Sequence, residues 1–242
     1  FVVLGARGGT GREAVRRLLE KGSDVVAEVR AVVRNPSVIP EDFYPSDSRL
    51  KILAGDVTVE ESLNQVLNGA HFAIFTAAGK KDHNVEVDEL GLEKTLQAAE
   101  KNGLKRVSIC TSQLVDPVNF WSPVRMLINT MTWGVMDSKF RGENRVRAFC
   151  QTSKVEYTIV RPGRLTDGAL HGSGGLRVAQ TNGDFFAGSF TTRADVGLML
   201  VESLTAPQAR NATFELAGGA GASASGPQEL LQTLVSDADR KK

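Results

Sequence analysis

The residues with the most readable chemistry are glycines. Gly5, Gly8 and Gly11 follow the apolar run Phe1-Val2-Val3-Leu4 and precede a segment in which Ala14, Val15, Leu18 and Leu19 recur at helical spacing. That order predicts a strand, a tight turn and a helix closed by Gly22. With no Cβ in the way, backbone N–H groups and the positive end of the helix dipole can converge on an anion, and a pyrophosphate fits that role. The candidate contacts are Gly5, Arg7, Gly8, Gly9, Thr10 and Gly11. An ordinary tight connection could carry the same glycines, so the flanking strand and helix decide in favour of a nucleotide.

Further candidates stand where later strands are expected to end. The β-rich run from Val25 to Val33 stops at Arg34-Asn35-Pro36. In a doubly wound sheet the residue closing the second strand reaches the adenosine ribose, a carboxylate for the 2′-OH of NAD or an Arg for the 2′-phosphate of NADP. Arg34 here, with Arg7 inside the glycine turn, argues for NADP(H), since a guanidinium matches phosphate in geometry as well as charge. Glu28 could serve NAD only if that strand ended much earlier. Asp56 and Val57 close the third strand, Leu50 to Val57, where Asp56 could accept from the adenine amine or merely shape a turn; Thr58 is the expected cap of a helix over 59–68. Ala77, Ala78 and Gly79 close the fourth strand, small enough to lie against a ribose or ring. Thr111 and Ser112 close the fifth, two hydroxyls where a substrate carbonyl would lie.

The elements that must position these residues alternate strand with helix through five rounds, which predicts an α/β fold: a doubly wound parallel sheet with ligands above the carboxyl ends of its strands. At 242 residues the chain holds one such domain. Lys and Arg number 29 against 28 Asp and Glu, so no basic field suggests nucleic acid. No apolar run approaches the roughly 20 residues that span a bilayer, and a soluble protein is expected. Three His without paired spacing suggest no metal site. Cys110 and Cys150, both in or beside apolar segments, suit buried thiols in a reducing compartment. Residue 1 is already inside a strand, so the natural start is expected upstream and any targeting sequence with it.

The landmarks Gly5, Gly8, Gly11, Arg34, Gly55-Asp56-Val57, Val107 to Ser112, Glu156 to Gly163 and Thr192 to Val196 occur in the order of the atypical short-chain dehydrogenase/reductase (SDR) family, which the chain resembles over nearly its whole length. That family includes flavin/biliverdin-reductase-like, isoflavone-reductase-like and plastid proteins. The resemblance implies a Rossmann fold with a small C-terminal substrate lobe, and it places Pro162 and Gly163 beside the nicotinamide. It also implies a catalytic Ser and Tyr-x-x-x-Lys set, in which the Lys lowers the Tyr pKa so that the phenol can protonate an alkoxide. Ser112, or Thr111 beside it, matches the hydroxyl, and Lys139 matches the Lys, which also belongs to cofactor binding. Val135 stands where the Tyr should be, and the two tyrosines, Tyr44 and Tyr157, lie in a distant loop and a strand.

Two functions follow from that departure. One is an oxidoreductase passing hydride from NADP(H) to a flat acceptor such as a flavin or quinone, which can take its proton from solvent. The other is a non-catalytic NADP-binding subunit or assembly factor of a larger complex. Residues 118–136 carry Trp121, Trp133 and three of the four methionines, and could roof a substrate pocket, form a protein-partner patch or pack as core. By resemblance the plastid stroma is one setting, the cytoplasm another. The expected layout is a nucleotide-binding domain over 1–217 that includes a short lobe at 163–190 with His171 and Phe185-Phe186, a linker at 218–227, and a helix and frayed tail over 228–242.

Overall fold

Short runs rich in Val, Ile, Leu and Ala form the strands, and the amphipathic stretches between them form the helices. The computed structural model describes residues 1–80, 83–171, 175–180, 189–218 and 226–240. In chain order these are β1 (Val2–Leu4), α1 (Gly9–Leu19), β2 (Val29–Val33), β3 (Leu50–Ala54), α2 (Glu60–Leu67), β4 (Phe72–Phe75), a π-helical stretch (Val85–Gly91) leading into α3 (Leu92–Lys101), and β5 (Arg106–Cys110). Then come α4 (Pro123–Met131), α5 (Val135–Cys150), β6 (Glu156–Pro162), β7 (Arg164–Thr166), β8 (Leu176–Ala179), β9 (Phe190–Thr192), α6 (Arg193–Ser203), β10 (Ala212–Gly218) and α7 (Pro227–Gln232).

The strands lie in the order β3-β2-β1-β4-β5-β6-β10, with every neighbouring pair in that series parallel. Beyond β10 the sheet continues through β9 and β7, while β8 pairs antiparallel with β10. This is the doubly wound Rossmann arrangement, and its order reverses between β1 and β4, so the ligand crevice opens above those two strands. One face is covered by α1, α6 and α7 through Val15, Leu18, Met199, Leu200 and Leu231. The other is covered by α2, α3 and α5 through Leu67, Leu96 and Val146.

Three arginines fasten helix ends at the edge of the sheet away from the crevice. Arg49 donates to the carbonyls of Leu19 and Lys21 at the end of α1, Arg30 to those of Val66 and Asn68 at the end of α2, and Arg106 to those of Ser203 and Ala206 at the end of α6. Each guanidinium satisfies carbonyls that the helix itself cannot, and its charge suits the negative end of the dipole. The amino ends of the strands are thus given to stability, which leaves the carboxyl ends for the site.

Several boundaries differ from the sequence expectation for local reasons. Val25 and Val26 donate back to the Gly22 carbonyl in a turn, so β2 starts at Val29. Thr58 does not cap α2; its amide and hydroxyl both donate to Asp56, and Val59 takes the cap position. The tail is anchored: Asp237 accepts from Thr213 and from the Tyr157 phenol. Leu230, Leu231 and Leu234 are buried, so α7 docks on its own core. Phe185-Phe186 and most of the expected linker lie outside the described residues.

Arg106 is only 4% exposed and serves two carbonyls together with Glu156. Arg106→Met, which keeps volume but removes the donors, is expected to lower the unfolding free energy by about 2–4 kcal/mol in urea titrations.

Candidate functional site

The glycine turn closes because two backbones nearly touch. Gly5 has φ +80°, and a Cβ built there would lie 2.5 Å from the Ala77 nitrogen, so the β1–α1 turn and the loop after β4 approach closer than any side chain permits. The Gly8 amide donates to the Gly5 carbonyl at 3.0 Å, and Thr76 Oγ1 donates to the Leu4 carbonyl at 2.9 Å. Gly8 then stands at the cap of α1 with no side-chain bond, and the first turn carries no acidic residue. The N–H groups of Gly9, Thr10 and Gly11 therefore open α1 without an intrahelical acceptor, beside an exposed Arg7-Gly8-Gly9 surface. This uncapped, glycine-walled helix start fits the paired phosphates of a dinucleotide.

The residues expected to meet an adenosine stand at neighbouring strand ends. The Ala6 amide donates to the Val32 carbonyl at 3.2 Å, which places Arg7 and Arg34 just past the carboxyl ends of the paired strands β1 and β2. Both side chains are exposed, and among the described residues neither has an ion-pair partner. Glu28 lies at the opposite end of β2, bound by Lys51 and Arg30, which hold its carboxyl below the usual range. Asp56 gives one oxygen to Thr58 at 2.8 Å; its other oxygen, half-buried above β3, has no partner among the described residues. Val57 is buried behind it.

At the other end, α5 presents Val135, Lys139, Glu143 and Arg147 every fourth residue, one face of the helix. Lys139 Nζ donates to Asp88 Oδ1 at 2.5 Å, and Asp88 Oδ2 accepts from the Gly79 amide at 2.7 Å, tying the β4 loop to α5. Burial opposes the Lys139 charge, but Asp88 outweighs it and raises the pKa. Glu143, fully buried, accepts from Thr111 Oγ1 at 2.7 Å, from Arg161 at 2.7 Å and 3.1 Å, and from Arg147 at 2.9 Å. Burial pushes its carboxyl up, and Arg161 and Arg147 overcome that to bring it down to about 2. Arg161 also binds Asp116 at 2.6 Å.

These bonds sort the candidate catalytic groups. Thr111 is committed to Glu143, which leaves the half-buried Ser112 as the hydroxyl at the end of β5. Pro162 is buried and Gly163 donates to the Leu216 carbonyl at 3.0 Å, so both border β10 at the top of the sheet. Burial pushes the Cys110 thiol up to about 11 against the pull of Lys139, which keeps it neutral. Val135 packs with Leu114, Ile128 and Phe140. Tyr157 gives its phenol to Asp237 and Tyr44 is buried in the core, burial raising both pKa values, so neither phenol supplies an acid at Lys139. Among the described residues no group of His, Cys, Asp or Glu is placed to hold a metal ion.

Two residues of the site, Asp88 and Glu143, went unread in the sequence; Arg161 and Arg193 stood inside family landmarks with no role attached, and the Arg193 side chain lies over Gly9. The four-residue charge spacing on α5 was the one available signal. The π-helical stretch, which turns Asp88 and Glu89 inward, left none.

Residues 5–207 match the family described as NAD(P)H-binding. The chain belongs to that family. It is 28% identical over 67% of its length to an uncharacterized chloroplastic protein of Arabidopsis thaliana, and 24% identical over 91% to the photosystem II assembly factor Ycf39 of Trieres chinensis. It spans 58% and 64% of those two proteins. Among solved structures, the oxidoreductase ylbE of Lactococcus lactis superposes with a TM-score of 0.75 at 20% identity, covering 96% of this chain and 95% of that one. The anaerobilin reductase ChuY of Escherichia coli O157:H7 gives 0.69 at 23% identity, covering 90% and 97%. In this NAD(P)H-binding chain the glycine turn, Asp56 and Lys139 all fall within the matched residues.

The Glu143 network makes stability depend on pH in a defined direction. Its folded pKa of about 2 lies below the ordinary 4.5, so its contribution is complete above 4.5 and is lost as pH falls toward 2. Glu143→Gln is expected to cost about 3 kcal/mol at neutral pH. In denaturation curves taken across the acid range, that difference should shrink below pH 4.5 and be absent near 2.

Proposed function

We propose that this chain binds NADP(H) and passes hydride to a flat acceptor, such as a flavin or quinone, whose reduced form takes its proton from solvent. The carrying observation is the state of the lysine end. Lys139 is charged and fixed by Asp88, Ser112 is available, and no phenol stands between them. Carbonyl reduction relies on a positioned acid. Transfer to an acceptor that does not need one relies on orientation alone.

Bound NADPH would supply the hydride. The uncapped start of α1 would hold its phosphates, Arg7 and Arg34 the extra 2′-phosphate, and Asp56, through the oxygen that has no partner among the described residues, the adenine amine. Ala77, Ala78 and Gly79 leave backbone space beside the ribose, and Lys139 offers its remaining N–H donors there. Pro162 and Gly163 would border the nicotinamide. The oxidoreductase and anaerobilin reductase likenesses support this reading at the level of the fold.

A second reading is a non-catalytic NADP-binding subunit or assembly factor. It is favoured by Trp121 and Trp133, 86% and 71% exposed, with Leu127 and Met131 also exposed on α4. Asn129 and Arg125 fasten that segment to Asp137 of α5, so the aromatic rings are displayed from a fixed base. Ycf39 and the chloroplastic relative support this reading and a plastid setting. Among the described residues no helix is long and apolar enough to cross a membrane.

Steady-state NADPH oxidation against a panel of flavins and quinones separates the two. The first reading expects turnover with at least one acceptor and loss of most of it in Lys139→Met. Tight NADPH binding with no turnover on any acceptor would retire the first reading in favour of the second.

A further inference from the structure

Arg193 opens α6 directly after the capping Thr192, and its side chain runs across the glycine turn. A Cβ built on Gly9 would lie 2.5 Å from Arg193 Cδ and 2.8 Å from Nε, so this pose of the arginine, lying directly on the turn, uses the space that glycine leaves. Among the described residues its guanidinium has one ion partner, Asp167 at 2.7 Å, whose side chain is 92% exposed. An ion pair so open to water contributes little to stability. The fold therefore gives no structural reason to hold a cation over three unpaired helix amides. A guanidinium does match carboxylate and phosphate oxygens in the same forked geometry.

We propose that Arg193 is a ligand of the dinucleotide's pyrophosphate, and that the Asp167 carboxylate is a resident competitor which the nucleotide displaces. The inference rests on the NADP(H) reading and deepens it. Arg7 and Arg34 address the 2′-phosphate that only NADP(H) carries, whereas Arg193 addresses the phosphates common to NADH and NADPH. Asp167 follows β7, whose Thr166 pairs with Thr192 at the foot of α6, so the competing carboxylate is carried by the strand end next to this arginine.

The test is calorimetric titration of the full chain with NADPH and with NADH, alongside thermal midpoints. Arg193→Gln is expected to weaken both nucleotides by a common factor of about ten or more, with Arg193→Lys recovering part of the loss. Asp167→Asn is expected to tighten both by about two- to fivefold. Arg34→Gln is expected to weaken NADPH alone. Unchanged affinities in Arg193→Gln at a wild-type midpoint, or a loss confined to NADPH, would overturn the assignment. If Arg193→Gln fails to fold, Asp167→Asn decides, and unchanged affinities there overturn it. A failure of Arg34→Gln to discriminate, with Arg193→Gln behaving as expected, would remove only the 2′-phosphate assignment. If the wild-type chain binds neither nucleotide, the cofactor reading falls and the role of Arg193 falls with it.

Discussion

The site depends on a backbone contact that only a left-handed glycine allows: Gly5 against the amide of Ala77, where the turn after β1 meets the loop after β4. At φ +80° any other residue would be strained even before its Cβ met that amide. Because the turn can be this tight, α1 starts immediately above the sheet with its first amides at the crevice, and Arg7 and Arg34 leave from the ends of adjacent strands. The reversal of strand order at β1 and β4 is what brings those two loops together, so the topology and the tight glycine turn are one feature seen at two scales.

Helix α5 imposes the second constraint. Its inward face carries Lys139 and Glu143, each of which would be costly to bury alone. Each is paired, Lys139 with Asp88 and Glu143 with Arg161, Arg147 and Thr111, so that the charges satisfy one another and fix the helix against β5, β6 and the β4 loop. The same pairing bears on the proposed hydride transfer. A lysine held by a carboxylate keeps its proton and its place, which suits orienting a nucleotide more than activating an acid. With apolar Val135 one turn before it, the site is built for position.

Legibility in the sequence followed the range of the interactions involved. The glycine turn, the amphipathic pattern of α1 and the strand ends at Arg34, Asp56 and Gly79 are set by residues a few positions apart, and they were readable as local patterns. The bonds of Asp88 to Lys139, 51 positions away, and of Thr111 to Glu143, 32 positions away, were not, because only the folded sheet brings them together. Asp88 and Glu89 carry no local mark of burial; a π-helical stretch turns them inward. Asp237 looked like a frayed tail, and long-range bonds to Tyr157 and Thr213 make it an anchor. Arg193 was visible as a family landmark, but its position over Gly9 depends on α6 packing against α1 across the whole length of the domain.

The most direct test of the central claim, that the amino-terminal turn holds NADP(H), is a crystal structure of the chain grown with NADP⁺. The account predicts the diphosphate against the amides that open α1, with the 2′-phosphate between Arg7 and Arg34. A nucleotide bound elsewhere, or a 2′-phosphate lying in solvent away from both arginines, would contradict it.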